Sequence, residues 1–77
     1  MPVRDPNSWD PLGRVLWFHR LKGYGFIQSD DGGAPFFVHI SAVEASGLET
    51  LLPGQRVEFR YVAKDRRAAI TRIRVIT

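Results

Sequence analysis

The sequence predicts a small all-β domain of five short antiparallel strands, closed into a barrel or folded as a sandwich. Runs of β-branched and aromatic residues with alternating polarity recur five times, at 13–20, 22–29, 35–40, 55–62 and 68–76. Turn-forming clusters separate them, chiefly Ser29-Asp30-Asp31-Gly32-Gly33-Ala34-Pro35 and Pro53-Gly54. With 77 residues the chain makes one domain. Closing the sheet on itself removes the edges that would otherwise pair with other chains.

Residues 1–12 contain Pro2, Pro6 and Pro11 and show no hydrophobic periodicity, so they read as a loosely ordered tail before a domain at 13–77. Trp9 is the residue able to dock that tail. In the first strand, alternation puts Val15, Trp17 and His19 on one side and Leu16 and Phe18 on the other. Val15 suits a core. Trp17 follows it inward unless a bulge re-aims the strand, so its direction stays open. In the second strand Tyr24, Phe26 and Gln28 share one face, and Gly25 and Ile27 the other. In the third, Phe37 and His39 oppose Phe36 and Val38.

Ser41-Ala42-Val43-Glu44 has the form of a capping box, with Ser41 as N-cap, and Gly47 supplies a stop. One short helical turn after the third strand is expected, with Val43 pointing inward. Residues 48–54 form a loop. In the fourth strand Val57, Phe59 and Tyr61 alternate against Arg56, Glu58 and Arg60. A charged turn at 63–67 leads to the fifth, where Ala69, Thr71, Ile73 and Val75 oppose Ile70, Arg72 and Arg74.

The two faces of the second and third strands differ in kind. Ile27, Phe36 and Val38 fill a core, and Gly25 beside them admits a close backbone approach. The other face gathers Tyr24, Phe26, Phe37 and His39, with Lys22 and Gln28 as polar neighbours. A chain this short buries only about 60% of its unfolded surface and cannot build a second core there. Flat rings on a solvated sheet suit the stacking of unpaired bases, since every base has a π-face.

The net charge is +3. Residues 1–40 balance, and the whole excess falls in residues 41–77. Such basicity fits a polyanionic partner or a solvated surface. The absence of cysteine excludes disulfides and a thiol nucleophile. No secretory leader is visible and no apolar run approaches the roughly 18 residues of a membrane span, so a soluble cytoplasmic monomer is expected. An enzyme is not expected: no metal, P-loop or nucleophile spacing surrounds His19 or His39. No cofactor, metal, membrane or small-molecule substrate is implied. The alternative use of the ring face is a protein-interaction module that docks a peptide.

Residues 13–75 closely resemble the bacterial cold-shock proteins and the related cold-shock domain. Val15-Leu16-Trp17-Phe18 resembles the family's first-strand Val-Lys-Trp-Phe. Lys22-Gly23-Tyr24-Gly25-Phe26-Ile27 matches its first ribonucleoprotein motif. Phe37-Val38-His39, continued by Ser41-Ala42, matches the second, and Pro53-Gly54-Gln55-Arg56-Val57 looks like the family's entry into strand four. The resemblance implies a five-stranded oligonucleotide-binding (OB-fold) barrel that lays single-stranded RNA or DNA across its first three strands. It also implies an RNA chaperone that prevents or melts secondary structure, with effects on transcription or translation. The family's binding positions fall on Trp17, Lys22, Tyr24, Phe26, Phe37 and His39, and the resemblance turns Trp17 to the ligand side. Phe18, Gln28, Ile40, Leu48 and Arg56 are further candidates. Leu16 stands where the family carries lysine, His19 where it carries asparagine, and Ile40 and Leu48 where many members carry phenylalanine.

Overall fold

The computed structural model describes residues 11–65 and 67–76, with Lys64 as backbone only. Five strands, β1 (Leu12–His19), β2 (Tyr24–Ser29), β3 (Phe36–His39), β4 (Arg56–Lys64) and β5 (Arg67–Val75), close into a barrel in the order β1-β2-β3-β5-β4. One helical segment, α1 (Ile40–Ala45), follows β3. The expected closure is therefore present, and the expected sandwich is not.

The barrel is not wholly antiparallel. Four strand contacts are antiparallel, but β3 meets β5 in parallel, at the single pair Phe37 and Ala69. β1 and β2, β2 and β3, and β4 and β5 each reverse through a turn, whereas β3 and β5 are joined through α1, a loop and β4, and that long path returns β5 in the same sense.

Strand β1 takes in Leu12, the last residue of the expected tail. Leu12 opens β1, Pro11 is buried, and the carbonyl of Pro11 accepts a hydrogen bond from Phe59 N–H at 3.1 Å. The remainder of that expected tail, Trp9 included, lies outside the described residues.

Ten apolar side chains form the core: Val15, Ile27, Val38, Ala42, Val43, Leu51, Val57, Phe59, Ile70 and Ile73. Phe36 packs on them through edge contacts to Phe59 and Tyr61, with ring centroids 5.1 and 4.8 Å apart. Leu51 comes from the loop after α1 and is almost wholly buried.

Two register shifts decide where side chains point. Val15 pairs with Ile27 but Trp17 pairs with Phe26, which leaves Leu16 as the extra residue of a bulge in β1. Arg60 pairs with Arg72 but Tyr61 with Ile70, which leaves Thr71 as the extra residue in β5. Both Ile70 and Ile73 are buried as a result, so the strict alternation expected for β5 fails at Thr71.

Gly25 marks the closest approach in the barrel. A Cβ there would collide with the carbonyl oxygen of Trp17 and lie 2.7 Å from Cα of Phe18. A side chain at this position would push β1 away from β2.

Helix α1 starts before the expected cap. The Ile40 N–H is bound to the carbonyl of Gly23 at 2.8 Å, so the chain turns helical as it leaves β3. His39, not Ser41, is the N-cap: its Nδ1 accepts from the Ser41 N–H at 3.1 Å. The far end closes with Gly47 at φ 79°, Leu48 N–H on the Val43 carbonyl and Gly47 N–H on the Glu44 carbonyl, the Schellman arrangement.

Candidate nucleic-acid interface

Strand pairing arranges the outward residues of β1, β2 and β3 as a grid. One row runs Trp17, Phe26, Phe37 and the next runs His19, Tyr24, His39. The bulge at Leu16 is what puts Trp17 in the first row, beside Phe26. Had β1 kept strict alternation from Val15, Trp17 would have entered the core and Phe18 would have faced solvent. Instead Trp17 is 41% exposed and Phe18 packs against the core.

The four rings touch one another. Trp17 meets Tyr24 and Phe26 edge-on, with centroids 5.4 and 5.3 Å apart. Phe37 stacks on Tyr24 at 5.9 Å with planes 24° apart, and meets Phe26 edge-on at 5.9 Å. Such contacts orient the rings at modest gain. The result is a continuous apolar strip on the outside of a closed barrel, with Phe37 also 41% exposed.

Polar groups border this strip. Lys22 is exposed in the turn at 20–23, which is tied by Gly23 N–H to the His19 carbonyl and by Lys22 N–H to His19 Nδ1 at 3.2 Å. His39 lies opposite Tyr24 and is exposed. Its Nδ1 accepts from the Ser41 N–H and lies 2.9 Å from Ser41 Oγ. Because Nδ1 accepts a backbone proton, the neutral ring carries its own proton on Nε2. Gln28 lies opposite Arg14, and its Nε2 donates to the Gly33 carbonyl at 3.1 Å, anchoring the loop between β2 and β3.

The remaining candidates lie elsewhere. Ile40 and Leu48 are half-buried and pack against the core, and together with Arg20, Leu21, Glu44 and Glu49 they line a shallow hollow beside α1. Arg56 lies beyond β1 from the rings, opposite Arg14. It grips Asp30 with both guanidinium nitrogens, Nη1 to Oδ1 at 2.8 Å and Nη2 to Oδ2 at 2.6 Å. That double hydrogen bond holds the Asp30 carboxyl below its ordinary pKa and Arg56 above its own; partial desolvation opposes both shifts, and the positive charges of Arg56 and Arg14 also favour the Asp30 carboxylate.

Sequence reasoning did not foresee a groove at the end of the ring strip. Ala34, Pro35 and Phe37 form one side of it, and Arg67, Ala68 and Ala69 form the other. It exists because β5 passes beside β3, a contact between residues about thirty positions apart for which no local pattern exists. Among the described residues no cluster of three or more His, Asp or Glu side chains could hold a metal, and no helix is long and apolar enough to cross a membrane.

Known proteins are similar to this chain in sequence. Residues 12–76 match the model of the 'Cold-shock' DNA-binding domain. The probable cold shock protein y4cH of Sinorhizobium fredii is 55% identical over 56 residues, covering 73% of this chain and 80% of that protein. The cold shock-like protein CspE of Escherichia coli K12 is 53% identical over 47 residues, 61% of this chain and 68% of that protein. The cold shock protein CspA of Rhizobium meliloti is 52% identical over 50 residues, 65% of this chain and 72% of that protein. With the family model spanning the whole barrel, this chain belongs to the cold-shock domain family of nucleic-acid-binding OB-fold barrels.

Proposed function

We propose that single-stranded RNA and DNA lie across β1, β2 and β3, with bases stacked on Trp17, Tyr24, Phe26, Phe37 and His39. The observation that carries this reading is the strip of four rings, each touching two of the others, on the solvent side of the barrel. The core has its own aromatic cluster and does not need them. Lys22 supplies a cation for a phosphate at the edge of the strip. The Nε2–H of His39 offers a donor to a base or phosphate oxygen. Gln28 and the groove beside Phe37 extend the strip at one end. Phe18, Ile40 and Leu48 serve the barrel, and Arg56 serves its pair with Asp30.

Stacking uses the base and not the 2′-hydroxyl, so RNA and DNA bind with similar affinity. A strip of this length takes about 6–7 nucleotides. Few cations border it, and two to four phosphate contacts give a slope of about −1.4 to −2.8 in log K against log salt. The role that follows is that of a non-enzymatic RNA chaperone. Holding bases unpaired competes with RNA secondary structure, and through it with transcription or translation. A cytoplasmic monomer without cofactor suffices for this.

The test is titration of short oligo-dT and oligo-U into a Trp9→Phe variant, so that Trp17 alone reports. Saturable quenching of similar midpoint for both is expected. Unchanged fluorescence at saturating oligonucleotide, with unchanged ring resonances of Phe26 and Phe37, overturns the reading.

A further inference from the structure

The two remaining strands have a different character. β4 and β5 hold six basic residues, Arg56, Arg60, Lys64, Arg67, Arg72 and Arg74, against one acidic residue, Glu58. Their balance of +5 exceeds the +3 of the whole chain. β1, β2 and β3 together hold one formal charge, Arg14.

The excess points outward. Val57, Phe59, Ile70 and Ile73 take the core positions, Arg67, Arg72 and Arg74 are exposed, and Arg60 is half-buried. The register sets Arg60 directly opposite Arg72, and Glu58 opposite Arg74, with 3.8 Å between Glu58 Oε1 and Arg74 Nη1. Like charges directly opposite on a ladder destabilise it. Arg72 Nη1 donates to the Thr71 carbonyl of its own strand at 2.9 Å, and an opposite charge at one of the two facing positions would suit the ladder better. The same arrangement occurs once more, where Arg14 faces Arg56 across β1 and β4. There the fold shows what facing arginines hold: the carboxylate of Asp30 sits in the fork of Arg56 at 2.6 and 2.8 Å. A phosphodiester oxygen pair has the same charge and a matching bidentate geometry.

The two rings of the hairpin, Phe59 and Tyr61, pack with Phe36 on the core side. Its exposed apolar positions are Val62, Ala63 and Ala69, which offer no platform for an unpaired base. Arginines spaced by two residues along a strand stand roughly 6.6–6.8 Å apart on a stiff ribbon. That reads backbone charge and not base identity.

We propose that the outer face of β4 and β5 is a second nucleic-acid surface that takes the phosphodiester backbone of a duplex, on a barrel wall that meets the ring strip only at the groove between Phe37 and Arg67. A duplex carries one charge per about 1.7 Å of its axis, the density that a basic ribbon rewards most. Its bases are paired and closed to the rings. A protein built this way holds an unpaired strand on one wall and a helix on the other, and so brings a single-stranded segment beside a double-stranded one. This proposal does not depend on the ring strip being the single-strand site.

The test uses a DNA dumbbell, a duplex closed at both ends by loops too short to bind the ring strip, followed by fluorescence anisotropy on the full chain. Four phosphate contacts, from Arg60, Arg67, Arg72 and Arg74, give a slope of about −3.6, so affinity falls about 150-fold between about 50 and 200 mM salt. The Arg72→Gln/Arg74→Gln variant halves that slope, to a fall of about 12-fold, while its titration with short oligo-dT matches the parent. Arg72→Lys/Arg74→Lys keeps the parental slope. Phe26→Ala/Phe37→Ala loses oligo-dT binding and keeps the dumbbell. No dumbbell binding, or dumbbell binding that follows the ring variant and ignores the arginine variants, overturns the proposal. A dumbbell result as expected, with oligo-dT indifferent to the ring variant, overturns only the assignment of the ring strip.

Discussion

Phe36 and Phe37 are adjacent in the chain, yet they stand on opposite sides of one strand among different neighbours. Phe36 faces inward and meets Phe59 and Tyr61 at edge-on distances. Phe37 faces outward and meets Tyr24 and Phe26 at nearly the same distances. Residue type and ring-to-ring contact therefore do not separate a structural aromatic from a recognition one. What separates them is the third partner. The inner cluster is closed over by Val38, Ile27 and the rest of the core, while the outer strip is open to whatever the solvent carries. The same kind of hydrophobic surface stabilises the fold on one side, and on the other it is the surface that the proposed single strand would bury.

That contrast breaks or holds in a defined order of effects. The largest belongs to Phe59, which has no exposed surface. Phe59→Ala should cost about 3–5 kcal/mol of unfolding free energy, since a core this small has little room to collapse around the cavity. At the low end of the typical range of about 5–15 kcal/mol, where so small a core belongs, that loss removes most of the stability and lowers the denaturant midpoint sharply. If Phe59→Ala unfolds within about 0.5 kcal/mol of the parent, the ordinary range of a surface substitution, the inner cluster is not the core.

The next effect belongs to the outer strip. Phe37→Ala should weaken oligo-dT binding by about 1–3 kcal/mol, or roughly 5- to 150-fold. Its stability cost should stay near the roughly 0.5–1.5 kcal/mol of an aromatic contact. Chemical denaturation and binding of the same variant give both numbers. A variant that loses stability and keeps affinity would reverse the two sides of β3.

This alternation in β2 and β3 was legible from the sequence because neither strand bulges, so period two runs unbroken through Tyr24–Ser29 and Phe36–His39. The direction of Trp17 was not legible from period alone. An extra residue at Leu16 inverts parity for all of β1 after it, and nothing in Val15-Leu16-Trp17 marks that residue as extra. The same happens at Thr71, which is why Ile70 and Ile73 share the core although they are three apart. The helix cap was misplaced for a related reason. Ser41 and Glu44 fit a capping box, but the Ile40 N–H is claimed by Gly23, a contact between strands that no local motif encodes. The pairing of Arg56 with Asp30, 26 positions away, likewise lies outside any local pattern.

His39 stands at the seam of the comparison, serving both sides. Its ring lies on the outer strip and its Nδ1 caps α1. His39→Ala should lose both functions: about 1 kcal/mol of stability for the cap, and part of the binding. His39→Asn should separate them. Asparagine retains an acceptor for the Ser41 N–H but offers only a small amide in place of the ring. Stability near the parent with weakened binding is the expected pair of results. Equal loss of stability in both variants would show that the cap does not depend on the acceptor.

The smallest effect concerns Asp30 and Arg56, which lie beyond β1 from the rings. Their hydrogen bonds are short and bidentate, but both groups stay solvated and the pair is screened. Asp30→Asn should therefore cost little stability, and the cost should depend on pH. The hydrogen bonds from Arg56 hold the folded pKa of Asp30 below its ordinary value. A depressed carboxylate pKa contributes stability that is fully present above the unfolded pKa and lost as pH falls through the folded one. The parent should thus be slightly more stable than Asp30→Asn at neutral pH, and the two melting curves should converge in strong acid. The same change releases Arg56 from its internal anion. It then faces Arg14 with no carboxylate between them, the arrangement that elsewhere on the barrel we assign to phosphate. Oligonucleotide binding by Asp30→Asn should tighten slightly at low salt, and the gain should fade as salt rises. A gain that persists at high salt would mean that Asp30 obstructs the strip by shape and not by charge.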